Sequence, residues 1–351
     1  MKVYRLGHVP WEDSQLLYHA MARLGHEALN LLSPASPYVC VGYHQDARQE
    51  IDVEYCRQKG IPIFRREVGG GAVFLDGHQL FYQLILRRDH PLAGLDKESF
   101  YRTLLEPVVR TYADLGIPAR YKPVNDVITA EGRKISGNGA AHIGESVVFV
   151  GNIILDFDYE TMVRVLRVPD EKYRDKVFKS MQENLTTVRR ERGTVPAEEE
   201  VVRILSGHFA EVLGPLEEET SVPAEVRELA DALRPQFLSD EWTFGRSRPT
   251  RAEEREVKIA AGVHVVQRMY KTPGGLVRAT LEVKDEVIRS AWITGDFFFY
   301  PEQKLVELEK ALEGVPMAQV QNVIQAFYEQ NRIESPGVTP AELAAIIQGN
   351  V

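Results

Sequence analysis

The sequence predicts an α+β protein, a mostly antiparallel or mixed sheet flanked by helices, followed by a small α/β domain at the C-terminal end. Three observations predict it. Short apolar runs recur through the first 160 residues, at least six of them, mostly joined by hairpin-length loops. Helical periodicity is inserted among them at intervals, the pattern of an α+β chain. Around Gly214–Pro223 and Arg246–Arg255 the composition turns polar, charged and proline-bearing, as linkers are. The expected organisation is a large domain over 1–245, a linker over 246–256 and a small domain over 257–351.

In chain order, residues 2–6 read as a strand, and Trp11 to Leu24 carry apolar residues at helical spacing after the start signal Pro10-Trp-Glu-Asp. Tyr38 to Gly42 is a short buried strand. Asp52 to Lys59 reads as a helix closed by Gly60, and Ile61 to Arg65 leads as a strand into Gly69-Gly-Gly71, which is then a strand-to-strand turn. Leu80 to Leu86 is a strand, Lys97 to Gly116 a long amphipathic helix, and Asp126–Thr129 with Lys134–Ser136 a hairpin around Ala130-Glu-Gly-Arg133. Ser146 to Leu155 is a further apolar strand. Residues 158–213 read as helical, broken at Val168-Pro-Asp170 and Gly193-Thr-Val-Pro196. Beyond the second linker, Val257–Tyr270, Leu276–Val283 and Val287–Ile293 alternate like strands about two turns, and three helices follow Pro301.

A chain of 351 residues with 44% hydrophobic and 26% charged residues has ample length for a real core, and no window approaches the roughly 20 apolar residues of a membrane span. No membrane association is expected. The N-terminal MKVYRLGHVPWEDSQ starts like a strand and not like a secretion signal, so a cytoplasmic protein is expected. A net charge of −9 argues against sequence-independent binding to nucleic acid, which depends on a basic surface releasing phosphate counterions. Local cations do occur, at Arg65-Arg66, Arg133-Lys134 and Arg189-Arg190; a positive site in a negative body suits an anionic ligand. The two cysteines, Cys40 and Cys56, form no C-x-x-C and no metal cluster, so any metal arrives with a nucleotide.

Chemistry concentrates in two glycine-bearing segments. Consecutive glycines reach backbone angles barred to other residues and present bare N–H groups, so the turn at Gly69–Gly71 can approach a phosphate closely. It matches neither G-x-x-x-x-G-K-[ST] nor G-x-G-x-x-G before a helix; taken alone it is equally a tight turn. The preceding Arg65 and Arg66 favour the anion site, one pointing in and one out by strand alternation. Lys134, flanked by Gly132 and Gly137, would alone be a solvated edge charge. The upstream Asn125-Asp126 and downstream Gly137-Asn-Gly139 single it out as an ammonium that can hold a carboxylate beside an α-phosphate. Asp126 or Asn125 then binds the nucleotide or its Mg²⁺, or simply caps a turn. The class of site is one that activates a carboxylate with ATP.

The segments FRREVGGGAVFLD (64–76), NDVITAEGRKISGNGAA (125–141) and VGNIILDFD (150–158) resemble those of the lipoate-protein ligase A family, a branch of the biotin/lipoate ligase fold related to class II aminoacyl-tRNA synthetases. Glu241-Trp-Thr-Phe-Gly245 and Ile293-Thr-Gly-Asp-Phe-Phe298 extend the likeness to nearly the whole chain. The resemblance implies that lipoate is joined to AMP from ATP with Mg²⁺ and passed to a lysine of an acceptor. By matching positions, Lys134 is the catalytic lysine, while Arg66, Gly69, Gly70, Gly71, Ala72, Val73, Asp76, Asn125, Asp126, Gly137, Asn138 and Ala140 bind adenylate or lipoate, Asp126 also meeting the metal. The implied partners are lipoyl acceptor domains: a 2-oxoacid dehydrogenase E2 subunit, the glycine-cleavage H protein, or a lipoate-binding protein of sulfur oxidation. With the accessory domain fused, a monomer is expected. The chain departs from the family at Leu75-Asp76 for His-Asp, at Ser136-Gly-Asn-Gly-Ala140 for Ser-Gly-Ser-Ala, and at Val150-Gly-Asn152 for His-Gly-Thr.

Two rivals share this fold. An ATP-independent octanoyl or lipoyl transferase needs a cysteine nucleophile, and Cys40 in an apolar strand and Cys56 in a helix sit where inert buried thiols sit. A biotin ligase would carry a glycine-arginine-glycine motif that is missing. From a different class, an adenylate-binding protein without turnover would keep the pocket; the intact Lys134 argues against it. Phe81, Tyr82 and Val147–Val150 are either walls of an apolar acyl slot or plain core.

Overall fold

The computed structural model of the chain describes residues 1–247, 257–260 and 263–350. It divides into two compact units, one made of Met1–Cys40, Glu50–Arg66 and Val73–Thr243, the other of Val41–Gln49, Glu67–Ala72 and Phe244–Val351. Residues 248–256 of the expected linker lie outside the described residues.

The strands are, in order, β1 (Lys2–Val9), β2 (Ala28–Pro34), β3 (Tyr38–Val41), β4 (Ile63–Arg65), β5 (Val73–Leu75), β6 (Gln79–Arg87), β7 (Ala119–Lys122), β8 (Asp126–Thr129), β9 (Lys134–Ser136), β10 (Asn138–Ile143), β11 (Ser146–Ile154), β12 (Glu217–Glu219), β13 (Val257–Ala260), β14 (Val263–Thr272), β15 (Gly275–Lys284) and β16 (Val287–Gly295). In the first unit a six-stranded sheet runs β10-β11-β6-β2-β1-β12. Its β1–β2 and β1–β12 pairs are parallel and the others antiparallel. The expected α+β class with a mixed sheet is what the chain adopts.

Local chemistry fixes the boundaries. The helix Val53–Lys59 starts where Asp52 accepts the Tyr55 N–H and stops at Gly60 in the left-handed region, as its sequence predicts. The helix Lys97–Asp114 is capped by Asp96 and presents Phe100, Leu104, Leu105, Val108 and Tyr112 to the sheet, where Phe149 of β11 meets Phe100 edge to face. The triple glycine does join two strands, β4 and β5; both flank β3 in a three-stranded sheet. A second small sheet, β7-β8-β9, carries the expected hairpin.

Several elements differ from the sequence reading; one is the single strand read over Val257–Tyr270, which is the antiparallel pair β13–β14. Gly214–Pro223 contains β12, whose glutamates line up beside β1, Glu219 meeting Lys2 at 2.8 Å and Glu218 meeting Arg5 at 2.6 Å. Charge pairing with the neighbouring strand turns an acidic linker into an edge strand. The unread β2 is buried at every position, so no alternation marks it. Residues Asn138–Ile143, to which the sequence reading gave no element, are the edge strand β10.

The second unit holds an antiparallel sheet, β13-β14-β15-β16, with the expected turns after Thr272 and Lys284. Three α-helices follow, Lys304–Ala311, Val320–Asn331 and Pro340–Gln348, the last opened by a Thr339/Glu342 capping box. Val277, Leu281, Ile293, Phe297, Ile324 and Ile347 are fully buried between them. Arg246 is part of this unit, its guanidinium on Glu309 at 2.8 Å and on the Ile293 carbonyl at 2.7 Å, stacked over Trp292.

Candidate active site

Lys134 opens β9, directly after the β8–β9 turn in which Gly132 takes the left-handed conformation (φ 85) that its lack of a side chain allows. Its ammonium, about two-fifths exposed, meets Asp126 Oδ1 at 2.6 Å. The strand is held on its other edge by the Thr186 N–H, which donates to the Lys134 carbonyl at 2.8 Å. That segment is fixed in turn: Arg133 grips Glu191 at 2.9 Å and Thr186 donates its hydroxyl to Glu191 at 2.5 Å. A Cβ built on Gly137 would lie 3.7 Å from Lys134 Cε, 4.0 Å from its Nζ and 3.8 Å from Asn152 Oδ1. The tip of the lysine and the Asn152 amide therefore share the space over a bare glycine.

A chain of neutral polar side chains supports this point. Asn152 accepts the Gly137 N–H at 2.9 Å and donates to Gln79 Oε1 at 2.8 Å; Gln79 donates to the Phe74 carbonyl at 3.1 Å and lies 3.4 Å from Asp76 Oδ1. Ser136 donates to the Asn152 carbonyl at 2.7 Å. Asn138 donates to the Asn125 carbonyl at 3.0 Å, Asn125 donates back to the Asn138 carbonyl, and the Tyr82 hydroxyl donates to Asn138 Oδ1. Burial raises the Tyr82 pKa, so the phenol remains a donor at neutral pH. Asp76 closes the turn into β6 by accepting the His78 N–H at 3.0 Å.

The remaining positions divide between the units. Arg65 is buried and gives Nε and Nη2 to the Thr243 carbonyl at 3.0 and 2.8 Å, while the half-buried Arg66 donates to the Cys40 carbonyl at 3.2 Å. One arginine in and one further out is the expected alternation, and the inner one is structural. Val73, 37% exposed, opens β5 opposite Cys40, and Ala140 is core on β10 opposite Phe149. Gly69, Gly70, Gly71 and Ala72 belong to the second unit. There the Gly70 N–H donates to the Phe297 carbonyl at 3.3 Å with Gly70 at φ 88. A Cβ on Gly69 would lie 2.9 Å from the Phe297 oxygen and 3.0 Å from the Phe298 ring, and one on Gly71 would lie 3.6 Å from Asp296 Cβ. Of the bare donors expected at this turn, that of Gly70 is engaged by a peptide carbonyl.

The first unit thus brings together Lys134, Asp126, Asn125, Gly137 and Asn138, with Asp76 joined to them through Gln79 and Asn152. Sequence reasoning missed the polar parts of Gln79, Tyr82 and Ser136. The signal was present in Gln79-Leu-Phe-Tyr-Gln83, where two amides and a phenol interrupt an apolar strand and need buried partners. Both cysteines are buried. Burial raises the Cys40 pKa against the opposing pull of Arg66, and burial pushes the Cys56 thiol up to about 11. Among the described residues no group of three or more His, Cys, Asp or Glu side chains is placed to hold a metal. Asp126 has one carboxylate oxygen already on Lys134. Among the described residues no helix is long and apolar enough to cross a membrane.

Comparison with known proteins gives the family. Residues 8–210 match the family model of the lipoyl protein ligase A/B catalytic domain, and residues 264–347 match that of the bacterial lipoate protein ligase C-terminus. The octanoyltransferase LipM of Kyrpidia tusciae is 29% identical over 230 residues, 59% of this chain and 83% of that protein. Lipoate–protein ligase 1 of Staphylococcus aureus is 26% identical over 316 residues, 90% of this chain and 84% of that protein. Among solved structures, a lipoate-protein ligase A bound with ATP superposes with a TM-score of 0.58 at 26% identity, covering 70% of this chain and 99% of that one. With a catalytic-domain match over more than half its length and the ligase C-terminal domain behind it, the chain belongs to the lipoyl protein ligase A/B family and is an enzyme of that family.

Proposed function

We propose that the protein is an ATP-dependent lipoate–protein ligase. The observation that carries this reading is the Lys134–Asp126 pair over Gly137, a charged site with neither cysteine among its hydrogen-bonded neighbours. The ATP-bound relative supports a nucleotide in the same role, and the length of the match to the S. aureus ligase supports the ligase over the transferase. In the first half-reaction a lipoate carboxylate oxygen attacks the α-phosphorus, the bond to the bridging oxygen breaks, and pyrophosphate leaves with that electron pair. Lys134 stabilises the oxygens on which charge gathers, an effect worth about 10²–10³ in rate at comparable sites. In the second, the neutral amine of an acceptor lysine attacks the acyl carbon, the bond to the adenylate oxygen breaks, AMP leaves with that electron pair, and the new amide nitrogen gives up one proton to water. The acceptor is a lipoyl acceptor domain that presents one lysine.

Magnesium fits as a companion of the nucleotide: this ion takes one or two carboxylates and completes its shell with phosphate oxygens and water. Asp126 is the carboxylate that would hold it, and the ion would neutralise triphosphate charge. Arg66 is an adenylate ligand in this reading, whereas the Gly70 N–H is already given to the Phe297 carbonyl.

A second reading, acyl transfer without ATP, is favoured by the octanoyltransferase likeness. It needs a thiolate, and both thiols here are buried. Lipoate-dependent exchange of labelled pyrophosphate into ATP, with no acceptor present, separates the two. Exchange is expected; its absence at saturating Mg²⁺, together with transfer from an octanoylated carrier protein, would establish the transferase.

A further inference from the structure

We propose that Tyr82 is a positioning residue for the Lys134–Asp126 pair, acting through Asn138 and Asn125, and that Gly151 is a glycine because this contact runs across it. The proposal rests on the ligase reading for its role in catalysis. Register brings the parts into line: Asn138 on β10 lies opposite Gly151 on β11, and Gly151 lies opposite Tyr82 on β6. Directly opposed residues of neighbouring strands project to the same face, so Tyr82 and Asn138 flank position 151. A Cβ there would overlap both the Tyr82 hydroxyl and Asn138 Oδ1. Gly151 does not have a positive φ, so its backbone would accept other residues; what glycine supplies is room.

The hydroxyl then selects one orientation of an amide. Tyr82 donates to Asn138 Oδ1, which leaves Asn138 Nδ2 facing the Asn125 carbonyl at 3.0 Å. The reversed amide would set two carbonyl oxygens against each other. Asn125 completes the clamp with its own amide on the Asn138 carbonyl, and the next residue is Asp126, which holds Lys134 at 2.6 Å. Tyr82 cannot drift away. Its ring is fully buried, with the rings of Phe149 and Phe209 each 5.8 Å off. The hydroxyl reaches Lys134 only through Asn138, Asn125 and Asp126, and through them sets where the carboxylate and ammonium stand.

The test compares the parent with Tyr82→Phe, Gly151→Ala and Tyr38→Phe. Tyr38 is a control: equally buried, its hydroxyl bonded to Gln15 at 2.7 Å and Ser14 at 3.0 Å, outside this network. In the pyrophosphate exchange assay, kcat of Tyr82→Phe should fall about tenfold or more with KM for ATP and lipoate within about twofold, as misplacement of a catalytic group predicts. Tyr38→Phe should lose similar thermal stability and keep kcat. Asn138→Ala should be as slow as the double variant with Tyr82→Phe, since the two act in series. A second readout needs no turnover: acetylation of Lys134 by acetic anhydride, mapped by mass spectrometry, should run several-fold faster in Tyr82→Phe as the ion pair loosens. Parental kcat in Tyr82→Phe, or an equal loss in Tyr38→Phe, overturns the proposal. If the parent itself shows no exchange, the ligase reading falls, and equal Lys134 labelling in parent and Tyr82→Phe then overturns the positioning. Should Gly151→Ala not fold, the tyrosine variants decide alone.

Discussion

The two glycine-bearing segments use the same residue for opposite ends. At Gly69–Gly71 the missing side chain admits another stretch of backbone: the Phe297 carbonyl comes within hydrogen-bonding reach of Gly70 and would collide with a methyl group on Gly69. At Gly137 and Gly151 it admits side chains instead, Lys134 with Asn152 in one place and Tyr82 with Asn138 in the other. The first segment is shaped by packing between distant parts of the chain, the second by polar groups that must meet in fixed geometry. A glycine-rich string in a sequence does not say which.

The comparison can be broken at four points. The largest effect belongs to Lys134→Ala, expected to lower adenylation by about 10²–10³ or more with the melting temperature unchanged, because the side chain is partly exposed while its carbonyl contact to Thr186 survives. Near-parental exchange would remove Lys134 from the chemistry. Next is Gly69→Ala: a Cβ at 2.9 Å from a backbone oxygen forces a shift costing about 1–3 kcal/mol, read as a lowered midpoint in urea denaturation. The matched change Gly137→Ala meets only ordinary contacts of 3.7–4.0 Å, so its unfolding midpoint should move by less than about 1 kcal/mol while exchange slows, the methyl group having entered the space of Lys134. If Gly69→Ala and Gly137→Ala shift stability alike, the distinction between the two segments fails. Smallest is Cys40→Ser, expected to keep lipoyl transfer within about twofold, since a buried thiol with a raised pKa supplies no thiolate. Loss of transfer with retained folding would favour the thioester route.

Much of the fold was legible. Asp52 and Gly60 marked both ends of a helix, and Ala130-Glu-Gly-Arg133 marked the turn that presents Lys134, because caps and tight turns depend on residues close in sequence. Family-level likeness in the glycine segments pointed to the right class of enzyme. What stayed hidden depends on register and on long-range pairing. The meeting of Tyr82, Gly151 and Asn138 requires three strands to be aligned first, and no single strand announces its partner's register. Glu217-Glu-Glu219 has the composition of a linker and forms an edge strand beside β1, where Lys2 and Arg5 meet its glutamates. Arg65 and Arg66 look equivalent on paper, yet one of them is consumed by the Thr243 carbonyl.

The Gly70–Phe297 hydrogen bond joins positions separated by more than half of the chain, and this has a consequence in time. On the ribosome the glycine turn emerges long before its carbonyl partner has been synthesised. The entropy of closing so long a loop grows only slowly with its length, but closure cannot begin until the far end exists. β3, β4 and the helices around them can assemble as they appear, whereas the turn between β4 and β5 waits for the last third of the protein. A nascent chain halted before residue 297 would carry every glycine of the turn without the carbonyl that Gly70 meets in the finished fold.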